Sequence, residues 1–305
     1  MVQSEIRLSD LLSMLDHKEV FKEICHVARL ISKGIDFVRL DIAIEDVTKL
    51  FAGEYPGYRA CNTEYHNLIH TTDATLALIR LVHGSVLNGM KFSDHDILLV
   101  LVSTLFHDSG YIQDDDDVEG TGAKYTENHV ERSVDFIKAY YRKNGFTTED
   151  YEKSAAMIRC TGLGVDIPQI NFISNNIMAL GKMLGIADLL GQMADRSYLE
   201  KLMFLYHEFE EGNVSGFDDE FDLLKKSVGF HKMTEERFRD VLGGYDKNMI
   251  FHFKKRYGIN DDLYANAIAN HLKYVKIIIK KYPNEYRDKL RRGGLIEGLR
   301  KRYGK

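Results

Sequence analysis

Three stretches of the sequence combine metal-binding or proton-transferring side chains with apolar neighbours. The first, YHNLIHTTD at residues 65–73, contains His66, His70 and Asp73. At spacings of four and three residues, these side chains share one face of a helix. Such a face suits a metal ligand, a proton donor and a carboxylate that orients an imidazole. Two histidines on a helix face are also compatible with hydrogen-bonded core residues, so this stretch alone leaves both interpretations open.

The second stretch is the dipeptide His107-Asp108, which follows an apolar run from Ile97 to Phe106. Neighbouring side chains diverge on a helix, so both reach one metal ion only where the helix ends. Gly110 predicts that end. Polar groups at the end of a buried run are costly when they are unpaired, which favours a functional site over simple packing.

The third stretch contains one acidic residue, Asp188, in a predominantly apolar segment from Ile177 to Met193. A carboxylate in such a segment must be paired, metal-bound or protonated. A salt bridge to a buried arginine is the alternative to a role as a metal ligand.

Taken together, these residues resemble a known family signature. His70, then His107-Asp108, then Asp188 resemble the H…HD…D signature of the HD superfamily of metal-dependent phosphohydrolases. The resemblance extends over about residues 60–210. It implies a compact multi-helix, all-α bundle in which these four residues bind a metal ion.

The resemblance is more specific in two places. Residues 65–73 are similar to the YHNxxHxxD signature of class I cyclic-nucleotide phosphodiesterases, and Glu127-Asn128-His129 resembles the ENH element of that family. This resemblance implies that His66 protonates the leaving oxygen and contacts the substrate. It also implies that Glu127 and His129 hold water on a second metal ion or touch the phosphate. Asp73 would support the histidines from behind.

The same resemblance implies hydrolysis with two divalent metal ions. Asp108 bridges the two ions, which polarise a phosphoryl group and lower the pKa of a bridging water, so that hydroxide attacks phosphorus. Nitrogen ligands at the first site suit Zn, Fe or Mn, and Asp108 with waters at the second suits Mg or Mn. The implied activity is that of a phosphodiesterase acting on a cyclic nucleotide or a related nucleotide phosphoester.

The chain departs from the phosphodiesterase pattern after Asp108. It reads SGYIQDDDD where those enzymes have a second histidine and a Pro-Gly pair, and no residue matches their purine-gripping glutamine. Gln192 is a candidate for that contact, or a polar residue that only lies nearby. The four acidic residues 114–117 predict a loop, which is either a solvated turn or a lid or second cation site.

Other functions are compatible with the same residues. A phosphomonoesterase, or a nucleotide or alarmone hydrolase, would use the same superfamily signature. A non-catalytic HD module that binds a ligand and signals by its shape would keep the fold without the reaction. A purely structural helical protein would require every buried polar residue named above to be coincidental.

The composition limits the partners and the compartment. The 305 residues are 44% apolar with a net charge of −5, which favours a small phosphoester or nucleotide substrate over nucleic acid. The three cysteines give no disulfide framework, and neither an export signal nor a run of about 20 apolar residues is found. We therefore expect a cytoplasmic protein without a membrane segment. A homodimer is compatible with the sequence, although the length does not require one.

The spacing of apolar residues predicts the fold class. They recur every three or four residues between Gly or Asn/Asp clusters, and only three prolines occur, so the fold is expected to be all-α. Ser93, Thr126 and Asp195 are expected to cap helices. Residues 60–210 should form the phosphohydrolase core, with the helices of 1–59 packed on it and those of 211–305 in the same domain. The expected helices cover 8–33, 36–52, 66–84, 94–107, 127–144, 148–159, 171–190, 196–212, 217–229, 234–242, 246–257, 261–281 and 285–302.

Overall fold

The described chain is built from helices. The computed structural model describes residues 6–290 and 294–303, and no strand occurs within these ranges. The all-α prediction is therefore confirmed. The α-helices are α1 (Leu8–Leu11), α2 (His17–Ile31), α3 (Phe37–Ala52), α4 (Leu68–Leu87), α5 (Asp94–Leu105), α6 (His129–Lys143), α7 (Thr148–Arg159), α8 (Asn175–Ala194), α9 (Tyr198–Glu211), α10 (Glu220–Asp240), α11 (Met249–Tyr257), α12 (Leu263–Lys281), α13 (Tyr286–Lys289) and α14 (Leu295–Tyr303).

Helices α4 and α8 form the centre of the fold. Helix α4 is buried from His70 to Ser85, and α8 is buried along most of its length. They pack so closely that a Cβ atom on Gly191 would lie 2.8 Å from the backbone nitrogen of Ala74. Helices α2, α5 and α11 pack against α4, while α7 and α12 pack against α8. The polar residues of α4 and α8 are thereby carried into the interior.

One apolar core joins the N-terminal, central and C-terminal parts of the chain. It extends from Val20 on α2 to Leu299 on α14. The helices of 1–59 and 211–305 therefore cover the same core as residues 60–210. The division of the chain into a catalytic core with flanking helices stays a prediction.

Capping residues explain the boundaries of the first helices. Ser93 accepts a hydrogen bond from the backbone of Asp96, and the expected start of α5 is confirmed. The single helix expected over 8–33 is wrong, because the Asp16 side chain caps a new helix that begins at His17. A capping oxygen satisfies backbone N–H groups that the first turn leaves free, so it fixes where a helix begins.

The two other expected caps do not directly precede a helix. The hydroxyl of Thr126 donates to the carbonyl oxygen of Ala123, and α6 begins later, at His129. The cap expected at Thr126 is therefore wrong. Asp195 accepts a hydrogen bond from the backbone of Ser197 and belongs to the turn that leads into α9.

The C-terminal helices differ most from expectation. The segments expected as separate helices over 217–229 and 234–242 form one helix, α10, in which Gly229 is accommodated. The helix expected over 285–302 is divided into α13 and α14, with Gly294 at φ 72° directly before α14. Residues 291–293 of that expected helix lie outside the described ranges.

Helix α8 is long and apolar enough to cross a membrane by length and composition alone. However, 83% of its apolar window is buried inside the fold, and the other described helices do not pass the same test. The apolar surface of α8 therefore packs in the protein core.

Candidate metal centre

Four buried side chains from three parts of the chain meet at one point. His70 comes from the first turn of α4, His107 and Asp108 follow the end of α5, and Asp188 lies on α8. The Nε2 atom of His70 is 3.0 Å from Oδ2 of Asp108 and 3.2 Å from Oδ1 of Asp188. The Nε2 atom of His107 is 3.4 Å and 3.6 Å from the same two oxygens. The structure thus brings together the four residues that the sequence singled out as first-site ligands.

The end of α5 makes this arrangement possible. The helix ends at Leu105, so His107 and Asp108 are free of its geometry. The carbonyl oxygen of Thr104 lies 2.7 Å from Nδ1 of His107 and can only accept a hydrogen bond. The hydrogen therefore sits on Nδ1, and the lone pair of Nε2 points into the centre as a metal ligand requires.

The charges of the centre favour a cation. Burial raises the pKa of Asp108 and of Asp188, but the adjacent imidazoles outweigh burial and hold both carboxyls below their usual value of 3.8. Burial lowers the pKa of His70, but Asp108 and Asp188 outweigh it and raise the pKa to about 10. Two ionised carboxylates in a buried pocket need positive charge beside them, and a bound cation would supply it in place of the imidazole protons.

Two atoms of the centre have no hydrogen-bond partner within the described chain. These are Nε2 of His107 and Oδ2 of Asp108, both fully buried. Their close contacts with one another and with His70 are not aligned as hydrogen bonds. An unpartnered buried polar atom costs about 1–3 kcal/mol, and coordination to a divalent cation would satisfy both. His70, His107 and Asp108 offer ligand atoms that all lie within 4.8 Å of one another, so this group fits a metal ion.

His66 lies before α4 and not on it. Asn67 caps the helix by accepting hydrogen bonds from the backbone of Ile69 and His70, so the expected shared helical face of His66 and His70 is wrong. The His66 ring nevertheless stays 5.7 Å from the His70 ring, measured between centroids. A turn before the helix therefore brings His66 beside the centre.

Glu208 holds His66, and the sequence analysis missed it. Its Oε2 atom lies 2.6 Å from Nδ1 of His66, and its Oε1 atom accepts a hydrogen bond from the backbone of Tyr65. Glu208 is 5% exposed on α9. The available signal was its spacing, since it follows the buried Phe204 by four residues and so falls on the buried face of α9.

The ENH element places its histidine at the centre and its glutamate at the surface. His129 has Nε2 3.9 Å from Oδ1 of Asp108, and its Nδ1 donates to the carbonyl oxygen of Thr126. Burial lowers the pKa of His129. Glu127 is exposed on the turn before α6, and its role stays a prediction. A Cβ atom on Gly110 would lie 2.0 Å from the His129 carbonyl oxygen, so only glycine permits this close approach.

Gln192 is engaged by the protein at both ends. Its amide nitrogen donates to Oδ1 of Asp188, and its oxygen accepts a hydrogen bond from the hydroxyl of Tyr65. These bonds favour a role in orienting Asp188. The predicted contact between Gln192 and a substrate stays a prediction.

Asp73 does not hydrogen-bond to a histidine. Both of its carboxylate oxygens are buried and without a hydrogen-bond partner in the described ranges. The ammonium group of Lys201 lies 3.8 Å away and also pairs with Asp195. Burial raises the pKa of Asp73 to about 8. The expected support from Asp73 is thus absent as a direct bond.

The acidic loop forms an exposed turn. Asp114, Asp115 and Asp116 are exposed, whereas Asp117 pairs with Lys124. Of the alternatives raised by the sequence, this geometry favours the solvated turn.

The fold and centre define a class: an all-helical protein with a buried histidine and aspartate group that can hold a metal ion. The sequence model of one family, described as Npun_R2479-like, matches residues 115–241. This stretch is less than half of the chain and includes Asp188 and Glu208 but not His70, His107 or Asp108. That description names no activity. No curated protein and no solved structure matches the chain.

Proposed function

We propose that the protein is a metal-dependent phosphohydrolase, most consistent with a phosphodiesterase acting on a cyclic nucleotide or a related nucleotide phosphoester. The observation that carries this proposal is the buried group in which His107 and Asp108 each present an unpartnered ligand atom beside His70 and Asp188. A divalent cation in this set supplies the Lewis acidity that phosphoester hydrolysis requires. The sequence signature of the HD superfamily supports the same reaction class.

The residues around the group have separate tasks in this proposal. His70, His107, Asp108 and Asp188 hold the metal ion. His66 donates a proton to the leaving oxygen. Glu208 accepts from Nδ1 of His66 and fixes the ring, which leaves Nε2 as the atom that transfers the proton.

Lysine and arginine side chains near the candidate metal centre already have partners in the protein, which favours a substrate of low charge. Lys201 is paired with Asp195, and Arg132 donates to the carbonyl oxygens of Gly110 and Ile112. Sites for nucleoside polyphosphates typically use free cationic side chains to hold the phosphates. A diester carries a single negative charge and makes no such demand, so we place it before triphosphates and alarmones.

The experiment compares phosphoester classes directly. The protein is purified without chelator and assayed with bis-p-nitrophenyl phosphate, p-nitrophenyl phosphate and cyclic nucleotides in Mn²⁺ and Mg²⁺. We expect diester turnover that Asp108→Ala abolishes. Turnover of monoesters alone would replace the proposal with a phosphomonoesterase. A protein that takes up metal but hydrolyses none of these would favour the non-catalytic signalling module.

We also propose that the protein is cytoplasmic. The described cysteines are all free, and Cys25 and Cys160 are buried. Free thiols are typical of a reducing compartment, which fits a cytoplasmic protein. A homodimer stays a prediction.

A further inference from the structure

Tyr111 contacts two histidines of the candidate site through its ring. Its centroid lies 4.2 Å from the His66 ring at an interplanar angle of 11°, and 4.5 Å from the His129 ring at 22°. The two imidazole centroids are 6.3 Å apart. His66 precedes α4, Tyr111 ends the short helical turn after Asp108, and His129 begins α6. One tyrosine ring therefore joins three elements that are distant in the sequence.

The backbone around Tyr111 is held on several sides. Tyr111 donates from its backbone nitrogen to the carbonyl oxygen of Asp108, and Gly110 donates to the hydroxyl of Ser133. Arg132 donates to the carbonyl oxygen of Gly110. Tyr111 is also only 2% exposed, so its ring has little freedom to move. The Tyr111 ring is therefore a fixed surface against which the less firmly held imidazoles of His66 and His129 pack.

Within the described residues, each of the two imidazoles makes one hydrogen bond in addition to its contact with the Tyr111 ring. His66 is bonded to Glu208 through Nδ1, and His129 is bonded to the carbonyl oxygen of Thr126 through Nδ1. One hydrogen bond fixes the position of a nitrogen but leaves the ring free to tilt about that bond. A parallel contact with a second ring removes that tilt, because stacked rings have a preferred orientation.

We propose that Tyr111 is a positioning residue that fixes the relative orientation of the His66 and His129 imidazoles on one side of the metal group. The inference rests on the proposed phosphohydrolase function and extends it. The ring makes both contacts and the hydroxyl makes neither. Tyr111→Phe should therefore preserve the arrangement, whereas Tyr111→Leu should abolish it while keeping an apolar side chain in the core.

The test compares these two variants as full-length, metal-loaded protein. With bis-p-nitrophenyl phosphate, we expect Tyr111→Phe to stay within about threefold of wild type. Tyr111→Leu should lower kcat by about 10- to 100-fold, the effect of misplacing a reacting group, with KM and metal content unchanged. Tyr141→Leu is the matched control, since Tyr141 is a buried tyrosine that bonds Ser154 instead of the site. Its kcat per folded molecule should be that of wild type.

Nuclear magnetic resonance provides a readout that does not depend on turnover. The imidazole C–H protons of His66 and His129 should resonate upfield in the wild type and in Tyr111→Phe, because they lie over an aromatic ring. If Tyr111→Leu does not fold, the imidazole signals of the wild type and Tyr111→Phe still test the inference. Upfield shifts in both proteins would support it, and their absence would contradict it. Four results would overturn the inference. The kinetic ones are an equal kcat in all variants and an equal loss of kcat in both Tyr111 variants. The others are loss of metal from Tyr111→Leu and the absence of upfield shifts.

The proposed function and the inference on Tyr111 can be contradicted independently of each other. Absence of wild-type turnover would contradict the proposed function while leaving the upfield shifts to test Tyr111. Turnover that needs Asp108 but is insensitive to Tyr111→Leu would contradict only the inference on Tyr111.

Discussion

A buried group stays ionised only when neighbouring groups compensate its charge. Each residue of the candidate metal centre therefore depends on the others. Asp108 and Asp188 stay ionised because the imidazoles of His70 and His107 lie beside them. Removing one partner leaves the others with an uncompensated charge, which is costly in a buried site. Residues that act on the centre from outside this group are therefore better targets for testing catalysis alone.

Glu208 is such a residue. Glu208→Gln keeps the volume but weakens the bond to Nδ1 of His66, because a neutral amide replaces a carboxylate. We expect kcat for a diester to fall about tenfold or more while metal content is retained, since proton transfer contributes about 10²–10⁴-fold in such enzymes. Steady-state kinetics with metal analysis checks this.

The matched control is Glu210→Gln on the same helix. Glu210 has a largely exposed side chain, and its side-chain contact within the described part of the chain is a long one to His207. Unchanged kcat in Glu208→Gln, or an equal loss in both variants, would remove Glu208 from the mechanism.

For single residues, the sequence predicts the members of the buried group better than the residues that support them. His70, His107, Asp108 and Asp188 stand out because polar residues in apolar runs demand an explanation. Glu208 lies 142 residues from His66, and its role depends on how α9 packs, which no local pattern shows. No local pattern points to Tyr111 either, because a tyrosine beside an apolar run is ordinary until its neighbours in space are known.

At the scale of elements, the close packing of α4 against α8 sets the distance between His70 and Asp188. Gly191 permits this approach, since a Cβ atom there would meet the backbone of Asp73 and Ala74 at 2.8–3.0 Å. Gly191→Ala should separate the helices and destabilise the fold by about 1–3 kcal/mol, the usual effect of overpacking. Urea denaturation followed by circular dichroism measures the change.

Gly229→Ala provides the control for this prediction. Gly229 also lies within a helix, but a Cβ atom there would meet nothing within 4 Å. Alanine is the better helix former by up to about 1 kcal/mol, so this variant should be as stable as wild type or more stable. A Gly191→Ala protein that is equally stable would show that the α4–α8 contact is looser than described.

The contact between α4 and α11 should make the fold sensitive to acid. His83 and His252 face each other with Nδ1 atoms 3.0 Å apart. Burial, with Arg256 and Arg80 nearby, lowers the pKa of His83 to about 4 and of His252 to about 2. The unfolded chain therefore takes up protons first as the pH falls below about 6.5, and stability is lost in that range.

The expected loss is about 1 kcal/mol per histidine between pH 7.5 and pH 5.5. In His252→Gln this pH-dependent loss should be smaller, although the variant is less stable at both values. Urea denaturation at the two pH values gives the difference. An identical pH dependence in wild type and variant would contradict the account of this contact.

Helix existence was predictable and several boundaries were not. Ser93 fixed the start of α5 through local chemistry alone. Residues 66 and 67 are expected at the start of α4, but the Asn67 side chain caps the helix and leaves His66 outside. The helices expected over 217–229 and 234–242 form one helix, α10, which continues through Gly229 and packs against α9 and α12.

At the scale of the whole molecule, the shared core predicts cooperative behaviour. Apolar residues from α2 to α14 belong to one cluster, so the flanking helices cannot detach without exposing the apolar core to water. We expect a single unfolding transition at which tyrosine fluorescence and circular dichroism coincide; the chain has 17 tyrosines and no tryptophan. Two separated transitions would indicate that residues 211–305 or 1–59 fold as independent units.

The proposed function depends on metal binding by the buried group of His70, His107, Asp108 and Asp188. The most direct measurement is the metal content of protein purified without chelator, by inductively coupled plasma mass spectrometry. Metal binding at this group predicts at least about one transition-metal ion per chain in the wild type and in His83→Gln, which replaces a buried histidine of the same helix, and almost none in His70→Ala. Wild-type protein that is metal-free and resists reconstitution, or His70→Ala protein that retains its metal, would contradict it.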